Sequence, residues 1–309
     1  MKILLLGGSG FLGSHLLNKL DELGHEVLAP TSGQVDLRRQ VQVDSLFSYI
    51  KPDWVINAAG KVGGIQDNKN NPGDFFFDNI AIGMNVLHAS KIAGVKKYIQ
   101  IGSTCSYPKL SPAHYHIPMS PSHLWQGYPE ETNSAYGIAK RSLIEMAKAY
   151  RKQYGFNAIT VILANLYGPG CKSSHVIPDL IRKFAEAKAR RKDSVTILGS
   201  GAPTREFLYV DDAVEAILIA GEKWDEEQPL NVGSGEEVSI AQLAHYLKDL
   251  TYFNGSLFFD ASLPDGQSNR LLDSSEIREK GWDHKVTLKE GLKLTLEAYQ
   301  RENACLLDA

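Results

Sequence analysis

Two hydrophobic rhythms alternate along this chain. Short runs rich in Val, Ile and Leu stand at residues 3–6, 26–28, 54–56, 98–101 and 158–163, and runs this short and continuous suit strands covered on both faces. Between the first two runs, Leu12, Leu16, Leu17, Leu20 and Leu23 recur at helical spacing, and residues 81–93 and 135–150 carry the same period. Strand and helix in alternation predict an α/β protein with a Rossmann-type doubly wound parallel sheet. After Asn165 the pattern loosens, with the Gly-, Pro- and Ser-rich stretches NLYGPG, GSGAPTREF and SLPDGQSNR read as loops among shorter elements. We therefore expect a nucleotide-binding domain over residues 1–165, completed by parts of 206–232, and a smaller C-terminal α/β substrate lobe over 166–309. No repeat or long linker separates the two, so they should pack as one body.

Composition narrows the function. With 43% hydrophobic and 22% charged residues over 309 positions and a net charge of −3, the chain has no basic excess for a nucleic-acid backbone. The apolar start ends at Gly7, which reads as a first strand rather than a secretion leader, and no stretch approaches the ~18 apolar residues of a membrane span. Cys105, Cys171 and Cys305 are an odd set without CxxC or Cys/His ligand spacing, so neither a disulfide framework nor a metal site is expected. That pattern suits a reducing, cytoplasmic setting. The basic cluster of Lys188, Arg190, Arg191 and Lys192 reads as a solvated helix end.

Candidate chemistry begins at GGSGFLG. Gly7, Gly10 and Gly13 follow the first strand and, with Phe11 and Leu12, open the first helix, where glycines let the backbone approach a dinucleotide diphosphate. LAPTSG after the second strand has no carboxylate to engage a ribose 2′-hydroxyl, which favours NADP(H). It has no arginine either, only Thr31 and Ser32 as donors, and NAD(H) stays open. Asp36 and Leu37 in VDLRR are expected near the adenine. In NAAGKVGG, Ala58 and Ala59 are small where backbone would pass close to the cofactor.

Tyr136 and Lys140 in AYGIAK lie four apart on one helix face. An ammonium beside a phenol lowers its pKa from about 10 and makes it a usable acid or base. Such a pair is common on ordinary helices. It gains meaning from Ser103, at the end of the fourth strand, where ligands of doubly wound sheets bind.

In order along the chain, GGSGFLG, NAAGKVGGI, GSTCSYPKL, YGIAK, NLYGPG, SHVIP, TREFLYVDD, NVGSGEEVSI and PDGQSNRLLD resemble the GDP-L-fucose synthase family of extended short-chain dehydrogenases/reductases. The resemblance runs nearly end to end. It implies an enzyme that takes a GDP-linked 4-keto-6-deoxy sugar, inverts C3 and C5 beside the ketone and reduces C4 with hydride from NADPH. It also implies a homodimer. By the same resemblance, Ser103, Tyr136 and Lys140 would form the reductive triad, with Tyr136, Lys140 and Asn165 also touching cofactor. Cys105 and His175 would be the acid/base pair for epimerisation. Asn165, Lys183, Arg205 and Arg270 would bind substrate, the cations facing its diphosphate.

The chemistry agrees, since inversion beside a ketone needs one group to take a proton and another to return it on the opposite face. The chain departs from the family pattern in three places: only CKS stands between NLYGPG and SHVIP, Leu198 replaces a tryptophan, and Lys183 replaces an arginine whose fork is bidentate. Other readings are a dehydratase, which lacks its carboxylates here because Cys105 and Ser106 follow Thr104; a single-function 4-keto reductase; an NAD-dependent 4-epimerase; and a non-catalytic nucleotide sensor.

Overall fold

Four consecutive apolar side chains make β1 (Lys2–Leu6) a strand with core on either face, and Ile3 to Leu6 are at most 1% exposed. The computed structural model describes residues 1–109, 117–171, 175–262 and 268–304. After β1 come α1 (Phe11–Glu22), β2 (Glu26–Leu28), α2 (Gln40–Ile50), β3 (Trp54–Asn57), α3 (Ile65–Asn70), α4 (Pro72–Ile92), β4 (Lys97–Ile101), α5 (Ser134–Tyr154) and β5 (Ala158–Leu163). There follow β6 (Asn165–Tyr167), α6 (Val176–Ala189), β7 (Ser194–Leu198), β8 (Thr204–Tyr209), α7 (Val210–Lys223) and β9 (Leu230–Val232). The chain then forms β10 (Glu237–Ser239), α8 (Ile240–Thr251), β11 (Ser256–Asp260), α9 (Ser275–Glu279) and α10 (Leu288–Glu302).

The main sheet is parallel throughout, in the order β2-β1-β3-β4-β5-β9. From β1 the chain moves first to one side, to β2, and then to the other, to β3. The crevice opened by that reversal lies outside the carboxyl ends of the strands, where such sheets bind ligands. The fold class is the α/β class expected from the periodicity, and all five expected strands are present. The helix expected from residue 81 begins earlier, at Pro72, whose missing N–H is harmless in a first turn.

Two stretches read as loops contain strands. NLYGPG opens with β6 and GSGAPTREF closes into β8; each gains its regularity from pairing with the other in parallel. β10 adds antiparallel to β8, while β7 and β11 pair separately. Around them Tyr167, Phe184, Phe207 and Leu243 belong to a second apolar core under α6, α8 and α10. In the stretch SLPDGQSNR, residues 263–267 lie outside the described residues. No helix among the described residues is long and apolar enough to cross a membrane.

A buried carboxylate fastens these parts. Glu206 on β8 is 1% exposed; its Oε1 accepts the Gly235 N–H at 2.7 Å and its Oε2 accepts the Leu272 N–H at 2.9 Å. Burial pushes its pKa up to about 7, against the pull of the two N–H donors. The clasp holds the segment carrying Arg270 close to β8.

Candidate active site

The glycine-rich loop begins where β1 ends. Gly7 has φ +86°, and a Cβ there would meet the Ala59 nitrogen at 2.7 Å and the Ala58 oxygen at 2.8 Å. A Cβ on Gly13 would collide with the Gly7 carbonyl. These glycines therefore let the loop after β1, the start of α1 and the Ala58–Ala59 backbone share one narrow space. α1 starts on Gly10 with no side-chain cap and no acidic residue in its first turn. Its positive end suits a diphosphate. Phe11 packs edge-on against His15, and Leu12 leans on the main core.

Asp36 follows β2 with its carboxylate already engaged: Arg38 Nε donates to it at 2.8 Å and Arg39 lies 3.6 Å away. The Arg38 bond holds its pKa below the usual carboxylate range. The Leu37 carbonyl accepts from Asn85 Nδ2 at 3.0 Å. The sequence offers no arginine at the end of β2, but the fold brings Arg39 round to line one hollow with Ser32, Gly33, Gln34 and Asp36. Only the return of the chain into α2 makes that proximity.

Ser103, Tyr136 and Lys140 are brought together at the carboxyl edge. Ser103 follows β4, and its hydroxyl shares a hydrogen bond with Tyr136 from α5. Lys140, one turn along, points its Nζ at the Ile101 carbonyl, 3.1 Å away, and stands 5.8 Å from the Tyr136 ring centroid. The electrostatics reverse the sequence expectation for Tyr136. Burial pushes its pKa above the ordinary value of 10, Cys105 nearby adds to the rise, and only the Ser103 hydrogen bond opposes it. Lys140 does not offset this because it is itself buried, which lowers its pKa to about 8.

Cys105 lies in a short turn, Thr104–Ser106, capped by Ser103. Asn133 Nδ2 donates to its Sγ at 3.2 Å and Arg270 Nη1 at 3.3 Å. Arg270, 9% exposed, thus meets the sulfur besides having the clasp of Glu206 two residues away. His175 is exposed at the N-cap of α6, and the protein packed around its ring pushes its pKa down. Among the described residues no hydrogen bond joins His175 to Cys105. The shortened loop before it falls on 172–174, outside the described residues.

The other substrate candidates are spread over β6, α6 and β8. Asn165 donates to the Glu206 carbonyl at 2.9 Å and bridges β6 to β8. Lys183 is ion-paired with Asp179 at 3.0 Å one turn back on α6. Arg205 donates to the Thr204 carbonyl at 2.6 Å. Leu198, at the end of β7, is 58% exposed.

Sequence reasoning missed two residues that shape this site. Arg141 is 5% exposed and donates to the Ser106 carbonyl at 2.7 Å and to the Gly127 carbonyl at 2.9 Å, so it grips the turn that carries Cys105. Its signal lay in the helical period, since positions 137, 140, 141 and 144 share one face. Asn133, just before α5, carried no signal, because the contact depends on how the preceding loop folds back.

Likeness to known proteins bears on this geometry. The description "NAD dependent epimerase/dehydratase family" matches residues 3–233. GDP-L-fucose synthase 1 of Arabidopsis thaliana is 41% identical over 98% of this chain and 94% of its own length. The NADP-bound structure of MlghC, a GDP-mannoheptose C4 reductase from Campylobacter jejuni, aligns with a TM-score of 0.89 at 32% identity, covering 97% of this chain and 98% of that one. A GDP-L-fucose synthetase from Naegleria fowleri bound to NADP aligns with a TM-score of 0.86 at 28% identity, covering 98% and 94%.

Proposed function

Because the chain belongs to the NAD dependent epimerase/dehydratase family, in its GDP-L-fucose synthase branch, we infer that it converts a GDP-linked 4-keto-6-deoxy hexose by 3,5-epimerisation and 4-reduction with NADPH. The observation that carries this reading is the meeting of Ser103, Tyr136 and Cys105 at one sheet edge, with Lys140 behind them. A reductase alone needs the first, second and fourth of these groups. Cys105, supplied with two N–H donors, is the feature that epimerisation adds.

The roles follow from placement. Gly7, Gly10, Phe11, Leu12 and Gly13, with Ala58 and Ala59, form the cradle for the cofactor diphosphate, and Asp36 and Leu37 border its adenine. When bound, NADPH supplies the hydride. Ser103 holds the ketone oxygen and Tyr136 gives it a proton, with Lys140 fixed behind the ring. Cys105 and His175 exchange protons at the carbons flanking the ketone. Asn165, Lys183, Arg205 and Arg270 hold the nucleotide sugar, although Arg270 also serves the sulfur and Lys183 shares its charge with Asp179. Residues 166–309 supply most of this substrate wall. The likeness to a C4 reductase favours one second reading, reduction without epimerisation. Mass spectrometry of product formed in deuterated water separates the two, because only epimerisation leaves solvent deuterium beside C4.

Cofactor choice gives a separate expectation. No carboxylate stands at the end of β2, Asp36 is neutralised by Arg38 and Arg39, and Arg39 borders the hollow beside Ser32. NADPH should therefore bind more tightly than NADH in a fluorescence titration. A tenfold preference for NADH, about 1.4 kcal/mol the other way, overturns this.

The assembly proposed is a homodimer through α4 and α5. On α4, Phe77, Met84 and Ile92 are 61%, 45% and 66% exposed, and Tyr154 of α5 is 47% exposed. An apolar stripe of this kind on two packed helices suits a matching stripe on a second copy. Light scattering should give a mass of two chains, and Met84→Lys should shift it towards one; a wild-type mass of one chain ends the proposal. The cysteine pattern fits a cytoplasmic setting.

A further inference from the structure

Cys105 has a neighbour that the proton exchange assigned to it does not account for. Two donors from distant parts of the chain reach its sulfur, Asn133 Nδ2 at 3.2 Å and Arg270 Nη1 at 3.3 Å. Asn133 precedes α5, three positions before Tyr136. Among the described residues its buried Oδ1 has no hydrogen-bond partner. A buried amide oxygen left unpaired is unfavourable, so an asparagine in this place has one end on the sulfur and the other idle.

The idle end acquires a use once the sulfur changes protonation state. With a thiolate, the amide N–H is the partner; with a thiol, a half-turn of the amide presents Oδ1 to the S–H. Resting on the epimerase reading above, we propose that Asn133 is a positioning residue for Cys105 that holds its sulfur in both states of the proton exchange.

The step balances without any further reagent. The thiolate takes a proton from a carbon beside the ketone, an S–H bond forms, and the electron pair of the broken C–H bond passes to the ketone oxygen as an enolate. Protonated His175 then gives up an N–H proton to the opposite face of the same carbon, where the enolate electron pair forms the new C–H bond and the ketone is restored. Asn133 itself neither gains nor loses a proton. Arg270 stays a donor throughout, so the charged sulfur always faces at least one N–H.

Asn133→Asp tests this at constant side-chain size, replacing the donor by a carboxylate. Two readings are taken. In deuterated water, the ratio of deuterium placed beside C4 to hydride delivered at C4 should fall at least about tenfold. A role that merely supported the fold would lower both together and leave the ratio unchanged, which would overturn the proposal. In the protein without substrate, alkylation of Cys105 by iodoacetamide, read by peptide mass spectrometry, should also slow about tenfold at neutral pH, since the thiolate is the reactive form and a carboxylate beside it opposes its charge. Alkylation at the wild-type rate overturns the proposal as well. Should wild type incorporate no solvent deuterium, the epimerase reading fails by itself, and the alkylation rates alone then decide whether Asn133 governs the sulfur.

Discussion

Tyr136→Phe is expected to slow hydride transfer to the 4-keto sugar at least about a hundredfold, the loss that follows removal of a positioned general acid. Affinity for NADPH should stay close to that of wild type, because only the hydroxyl is removed and the ring keeps its edge-on contact with Phe75. The environment suits this hydroxyl to the acid role proposed for it. Burial raises its pKa, so the phenol carries its proton at neutral pH, with the hydrogen bond to Ser103 opposing that rise. Lys140, lowered to about 8, has no carboxylate partner among the described residues and holds the Ile101 carbonyl instead. NADPH oxidation by the variant at the wild-type rate, with keto sugar present, would remove Tyr136 from its role.

The second large effect belongs to Cys105. Wild type turning over in deuterated water should place deuterium on the ring carbons flanking C4. Cys105→Ser keeps the size but holds its proton across the working pH range, so this incorporation should fall steeply, by about a hundredfold. The product of the variant should then be the unepimerised 4-hydroxy sugar, because the groups proposed for reduction, Ser103, Tyr136 and Lys140, are untouched. His175→Asn should lose inversion too. A wild-type product free of solvent deuterium at those carbons would leave a simple reductase in place of the epimerase.

Much of the framework could be read in the order of residues. The strands are continuous apolar runs, and Gly7 and Gly13 of GGSGFLG are demanded by spaces that no Cβ can enter. The first is a local fact; the second shows in the spacing of the glycines, although the backbone that crowds Gly7 comes from Ala58 and Ala59. Lys140 is different: its spacing from Tyr136 is visible in the sequence, but its charge depends on how deeply α5 is buried, and burial is a property of the packed whole. The contacts of Cys105 are further removed, since Arg270 reaches it across 165 positions. Nothing local to either residue announces that meeting. Arg39 and β8 make the same point, one needing the return of α2 and the other a parallel partner.

The placement of β9 bears on how the protein comes into being. The outermost strand on one side of the parallel sheet is Leu230–Val232, so β5 has an open edge until more than two hundred residues have left the ribosome. An edge of six buried residues, Ala158–Leu163, is an adhesive surface for any nascent neighbour. The contacts that close it are distant in sequence, which makes this closure a slow step of maturation. α7 arrives just ahead of β9, and its side chains Ala213, Val214, Ala216 and Ile217 join the same core as β5. The stretch between β5 and α7 thus acts as a delay during synthesis, through which the β5 edge stays open to nascent neighbours.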